Sequence, residues 1–180
     1  MEIENLPIDG IKLIRYDIHK DTRGYTCKPF SSEEMQRSGL TFEIKEVFLS
    51  FSGKNVIRGM HFQVPPNSQE KIVNVIKGKI IDVLLDIRTN SSTYGKYISL
   101  EMGKMDGTSV YVPQGVAHGF LSLERDNIIS YLLNSPYSSS GEKGIRYDSF
   151  GYKWPTNSPT LSNRDYAFEK FNEFVSPFKM

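Results

Sequence analysis

The chain has 180 residues and carries 22 lysines and arginines against 21 aspartates and glutamates, a formal net charge of +1. That length fits one domain spanning residues 1–180, burying roughly 70% of its unfolded surface without a disulfide or metal staple, and the charge balance offers no bulk attraction for a polyanion. Hydrophobic residues at 38% and charged residues at 24% exclude a disordered, collagen-like or coiled-coil chain.

The first residues, Met1 to Asn5, are acidic where a signal peptide would be basic. No apolar run reaches the ~18 residues of a membrane span, so the expected location is the cytoplasm. His19 sits in a polar segment and reads as a solvated side chain. Cys27 is the only cysteine, which excludes an intrachain disulfide and a four-thiolate zinc site. Ser31 to Gly39 reads as a short helix: Ser31 caps it, Glu34 follows three residues on, and Gly39 ends it.

The middle of the chain reads as strands. Ile72-Val73-Asn74-Val75-Ile76 runs through Lys77-Gly78-Lys79 into a period-two alternation of Ile81, Val83, Leu85 and Ile87 with Asp82, Leu84, Asp86 and Arg88. That sequence predicts a hairpin turning at Gly78. Val110 to Val112 stops at Pro113. Gly119 to Leu123 and Ile128 to Leu133 flank a polar turn, and the serine-rich stretch Asn134 to Glu142 predicts a long surface loop. A second helix is expected from about Ser162, with a stripe at Ala167, Phe171, Phe174 and Val175 and a capping box Ser162-x-x-Asp165. Many short strands with turns about every ten residues predict an all-β sandwich or jelly-roll barrel.

His61, in Arg58-Gly59-Met60-His61-Phe62-Gln63, and His118, in Pro113-Gln114-Gly115-Val116-Ala117-His118-Gly119-Phe120, each sit in a strand-like segment near glycine. Such glycines mark close approach by a ligand or another backbone, and two half-buried core histidines is the competing reading. A jelly-roll metal site wants two histidines alternating on a strand. Here the position two after His61 is Gln63, and two after His118 is Phe120, so no metal is expected. Gly-x-Ser-x-Gly, Walker and Gly-x-Gly-x-x-Gly sequences are absent. What remains is His61, His118, Lys71, Tyr131 and several carboxylates. This inventory suits proton abstraction α to a carbonyl, which needs a base near neutrality, an electrophile for the enolate and an acid.

These blocks, with Lys71-Ile72-Val73, Asp82-Val83-Leu84-Leu85-Asp86-Ile87-Arg88, and Trp154-Pro155 before Leu161-Ser162-Asn163-Arg164-Asp165, occur in an order that closely resembles the dTDP-4-dehydrorhamnose 3,5-epimerase family. The resemblance runs from about Gly10 to Asp165. It implies a cupin-type jelly roll with a short N-terminal helix and a C-terminal helix, needing no cofactor or metal. It also implies a homodimer whose N-terminal strand joins the partner's sheet. The implied reaction is epimerisation of a nucleotide-linked 4-keto-6-deoxy sugar at C3, C5 or both, in deoxysugar and cell-surface polysaccharide biosynthesis such as that of lipopolysaccharide O-antigen. By the same resemblance His61 is the base, paired with Asp165; Lys71 faces the enolate; Tyr131 is the acid on the opposite face. Arg58 and Arg164 meet phosphate, Tyr137 lies near the nucleoside, and His118 is a pocket residue.

Read as residues alone, Asp165 is also a helix-capping acid, Lys71 a surface charge and Tyr131 a core aromatic. Arg58 and His61 are three apart, so an ideal strand would point them to opposite faces, and their convergence predicts a bulge at Gly59. The sequence departs from the family around the base: Thr26, Cys27 and Lys28 follow Arg23-Gly24-Tyr25 where aromatics and a glutamate are usual, and Glu46-Val47-Phe48 replaces a Gln-x-Asn pair. This points to CDP, or secondly GDP, in place of dTDP, with Arg23, Lys28, Glu46 and Phe48 around the nucleotide. A cupin 3,4-ketoisomerase and a non-catalytic sugar-nucleotide binder are the alternatives. No nucleic acid or membrane partner is expected.

Overall fold

The computed structural model describes residues 1–179. Two antiparallel sheets face each other. One has the order β1 (Glu2–Asn5), β2 (Lys12–Arg15), β10 (Thr108–Val112), β7 (Lys71–Lys77), β12 (Asn127–Leu133) and β5 (Glu46–Ser52). The other runs β13 (Glu142–Gly144), β6 (Ile57–Gln63), β11 (Val116–Ser122), β8 (Lys79–Asp86) and β9 (Tyr97–Gly103). A separate hairpin pairs β3 (Ile18–Asp21) with β4 (Gly24–Cys27). This is the expected jelly roll, with two short helices, α1 (Ser32–Arg37) and α2 (Asn163–Tyr166).

The central strands are apolar on both faces because both faces are covered. Val73, Val75, Ile80, Leu84, Phe120, Ile129 and Leu133 meet in the core between the sheets. Met60, Val83, Leu85 and Ile87 point out of the second sheet into another cluster, where Phe150 and Phe178 cover them. Ile14, Ile72, Tyr111 and Leu132 on the first sheet's outer face are covered by Met35 of α1, Leu40 and Phe42. The polar phase of β8 is therefore buried as well. Asp86 is fully buried and binds the Arg88 guanidinium through both oxygens, each at 2.8 Å.

Two expectations are corrected. Gly78 does adopt a positive φ of 84° and makes a turn, but β7 and β8 do not pair with each other. The turn is a corner that carries the chain from one sheet to the other. The second helix begins as expected, with Ser162 as its cap, but ends at Tyr166. Beyond it Phe171 and Phe174 pack singly onto the outer cluster while Val175 is exposed, so these apolar residues reach the barrel from irregular backbone. The free Cys27 is exposed, and no helix of the described residues is long and apolar enough to cross a membrane.

Candidate active site

A cavity of about 380 Å³ opens between the sheets, within the range of small-molecule sites. Both sheets furnish its floor: His61 from β6 and His118 from β11 on one side, Lys71 from β7 and Tyr131 from β12 on the other.

Arg58 and His61 share this cavity because β6 is bulged, as expected. His118 faces His61 and Phe120 faces Arg58, so three steps along β6 span two along β11. The bulge needs glycine. Gly59 has φ +134°, and a Cβ there would lie 2.5 Å from the Gly119 Cα; one on Gly119 would lie 2.7 Å from the Met60 sulfur. The turned backbone also aims the Gly59 N–H at Asp165 Oδ2, 3.1 Å away.

Asp165 serves both roles read from the sequence, meeting the helix cap through its backbone N–H and Oδ1 and the histidine through that same oxygen. Its own N–H donates to the capping Ser162 hydroxyl at 3.1 Å. The Ser162 hydroxyl donates back to Oδ1 at 2.9 Å, and His61 Nε2 stands 3.1 Å from the same oxygen. Burial by itself would raise the Asp165 carboxyl. The bonds from His61, Gly59 and Ser162 outweigh it and hold the group down at about 2. Asp165 is thus an ionised acceptor, which puts the hydrogen on His61 Nε2 and leaves Nδ1 as the basic nitrogen. Burial lowers the His61 pKa from its ordinary value; Asp165 opposes this, and the Lys71 and Arg164 charges assist it. The imidazole is therefore neutral at neutral pH and a quarter exposed.

Lys71 is buried, and desolvation pulls its ammonium down to about 8 against the opposing pull of Asp82 and Glu142. Tyr131 is buried too, and burial raises its phenol well above the ordinary range, so it holds its proton throughout neutral pH. Phe48, opposite it on β5, stacks on its ring at 4.3 Å and 8°. His118 Nε2 lies 2.6 Å from Asp82 Oδ1.

At the mouth, Arg164 binds Glu142 at 2.7 Å and approaches Asp165 at 3.4 Å. Tyr137 donates its hydroxyl to Glu142 at 2.7 Å and its N–H to Glu46 at 3.0 Å. Arg58 donates to the Ser52 hydroxyl and the Phe51 carbonyl. Of the expected site residues, Asp165 stands behind His61, and Glu46, Phe48, Arg58, His118, Arg164 and Tyr137 line the cavity with the floor groups. Arg23 and Lys28 do not: Arg23 lies on the detached hairpin, paired with Asp21, and Lys28 just beyond it is 4.0 Å from Glu34. Asp82 and Glu142 were not anticipated. The period of β8 sets Asp82 in its polar phase with Leu84, a phase that the structure turns into the core; Glu142 carried no signal.

Across the floor, a neutral imidazole, an ammonium and a protonated phenol surround one space. Such a set can remove a carbon-bound proton, hold an enolate and return a proton from the opposite sheet. Comparison with known proteins agrees. The family description dTDP-4-dehydrorhamnose 3,5-epimerase matches residues 5–173. The curated protein of that name from Sinorhizobium fredii is 35% identical, covering 99% of this chain and 94% of its own length. That of Methanothermobacter thermautotrophicus is 35% identical over 92% of each. Among solved structures, RmlC from Legionella pneumophila in complex with dTDP-4-keto-L-rhamnose superposes with a TM-score of 0.90 at 30% identity, covering 96% of this chain and 94% of that one. ChmJ, a 3′-monoepimerase from Streptomyces bikiniensis in complex with dTDP-quinovose, superposes at 0.86 with 31% identity, covering 92% and 85%.

Proposed function

The chain belongs to the dTDP-4-dehydrorhamnose 3,5-epimerase family, and from that membership and the cavity's geometry we propose how it acts on its substrate. It is a carbohydrate epimerase of nucleotide-linked 4-keto-6-deoxy sugars in deoxysugar biosynthesis. In the proposed mechanism the C4 ketone acidifies the neighbouring C–H bonds. His61 takes the proton from C3 or C5, and the pair of electrons moves into the C3–C4 or C4–C5 bond, placing negative charge on the C4 oxygen. Asp165 stabilises the resulting imidazolium, and the Lys71 ammonium faces the enolate oxygen. The Tyr131 hydroxyl returns a proton to the same carbon from the opposite face, inverting it. Solvent then takes the proton from His61 and restores that of Tyr131.

The observation that carries this reading is the placement of His61 and Tyr131 on opposite sheets across one cavity. Incubation with a 4-keto-6-deoxy sugar nucleotide in D₂O tests it. Deuterium at C3 or C5 with inversion is the expected result; its absence from a folded protein would reduce the chain to a binder. Product NMR separates epimerisation from transfer of the carbonyl to C3.

We further propose that a second copy completes the mouth. The first strand is engaged in its own sheet, paired to β2, so the element free for exchange is the β3–β4 hairpin. β5 is an edge strand whose outward residues Val47, Leu49 and Phe51 are exposed, an apolar face suited to a partner. Docking there would bring the partner's hairpin, with Arg23 and then Lys28, towards the nucleotide. Light scattering should give twice the chain mass of 20.6 kDa. Phe51→Glu, placing a charge on that face, should shift the protein to monomer.

A further inference from the structure

The cavity floor contains a second histidine–carboxylate pair that the proton transfers do not use. His118 and Asp82 lie on the neighbouring strands β11 and β8, joined at 2.6 Å. Asp82 is fully buried, and its second oxygen, Oδ2, has no hydrogen-bond partner among the described residues. A buried carboxylate with an unshared oxygen is costly unless an opposite charge lies close by. Asp82 belongs to the inward phase of β8, with Ile80 and Leu84; Lys71 belongs to the inward phase of β7, with Val73 and Val75. The two charges thus face one space from opposite sheets. The other titratable and charged groups in the cavity with Lys71 are Glu142 on β13, which also favours its charged form, Arg58 and His61 on β6, His118 on β11, Tyr131 on β12, Glu46 on β5, and Tyr137 and Arg164 at the mouth.

We propose that Asp82 is a positioning residue: it fixes the His118 imidazole and supplies the buried negative charge that keeps the Lys71 ammonium protonated. It acts through those two side chains, and its effect on turnover rests on the reading of Lys71 as the enolate's partner. Desolvation already pulls Lys71 down to about 8 with Asp82 in place. Without that counter-charge the ammonium loses its proton near neutrality.

The test reads Lys71 directly, by titrating its ε-carbon resonance in the ¹³C-lysine-labelled apo protein, assigned by its loss in Lys71→Met. Asp82→Asn keeps the volume and removes the charge, so the midpoint should fall by at least about one pH unit. His118→Leu removes the hydrogen bond that Asp82 Oδ1 now shares and leaves that oxygen free to face the Lys71 ammonium, so the midpoint should rise. An unmoved midpoint in Asp82→Asn, or a fall in both variants, overturns the proposal. Should Asp82→Asn fail to fold, a fall in His118→Leu alone overturns it and a rise supports it. The alkaline limb of kcat/KM in Asp82→Asn should follow the resonance. If the resonance moves and the limb does not, the Asp82 proposal stands and the catalytic role of Lys71 is what fails.

Discussion

The floor and the mouth of the cavity are built differently. At the floor His61, Lys71, His118 and Tyr131 stand on four strands, each paired on both sides; the two histidines are tied to buried carboxylates and the Tyr131 ring is stacked on Phe48. At the mouth Tyr137 lies on the loop after β12 and Arg164 on a four-residue helix, while Glu46 and Phe48 sit on a strand at the sheet edge. The floor's geometry follows from strand register, which cannot slip by one residue without turning every side chain over. The mouth depends on a few polar bonds and an exposed edge, where a substitution costs the fold little. In the proposed function reaction chemistry falls to the floor and ligand choice to the mouth, so each should be open to perturbation without the other.

The largest break should come at the floor. His61→Ala is expected to lower deuterium exchange by ~10²–10⁴-fold, the usual cost of losing a general base. Near-normal exchange in the folded variant would remove His61 from the mechanism. Tyr131→Phe should split the reaction. His61 still removes a proton and returns it to the same face, so wash-in persists while inversion falls ~10²-fold or more. Inverted product at the wild-type rate would place the acid elsewhere.

A smaller effect follows from pH. Lys71, lowered to about 8, is charged below that value and neutral above it, so kcat/KM should decline by about tenfold per unit once pH passes it. On the acid side the decline should begin below the ordinary histidine range, because the His61 pKa is lowered by burial. A profile flat from pH 7 to 10 would show that the ammonium is not required.

The smallest effect sharpens the contrast from the mouth. Nucleotide binding should not favour dTDP over CDP and GDP, with CDP first. In the proposed site Arg58 and Arg164 would meet the phosphates of every nucleoside diphosphate, and preference would come from base contacts. Glu46 can only accept and Phe48 offers no hydrogen bond, while Lys28, if the proposed dimer brings it to the base, would donate to the O2 and N3 acceptors of cytosine. A lost buried contact costs about 1–3 kcal/mol. Calorimetry in one buffer decides it: dTDP bound tenfold tighter than the other two would show that these residues do not read the base.

Much of the floor was legible because it obeys strand periodicity. His61 and His118 stood beside glycines, and the three-residue spacing of Arg58 and His61 demanded the bulge found at Gly59. Tyr131 shared its phase with Ile129 and Leu133, and all three are in the core. Asp82 was not legible: the alternation sets it in the polar phase of its strand, and its partner His118 is 36 residues away. Glu142, in a serine-rich stretch without period, had no signal.

By itself the sequence determined the strand character of the central segments, their period of two and which ordered blocks mark the family. These are local properties, set by backbone conformation and side-chain alternation within a few residues. Tertiary structure alone decided that Gly78 turns a corner between sheets, that Phe171 and Phe174 pack from irregular backbone, and that Asp165 serves a helix cap and His61 together. Its partners Gly59 and His61 lie 106 and 104 residues away. A turn sequence sets two or three dihedral angles. Which strand the next segment pairs with depends on burying apolar faces distant in the chain, and that choice exists only once the two sheets have closed on each other.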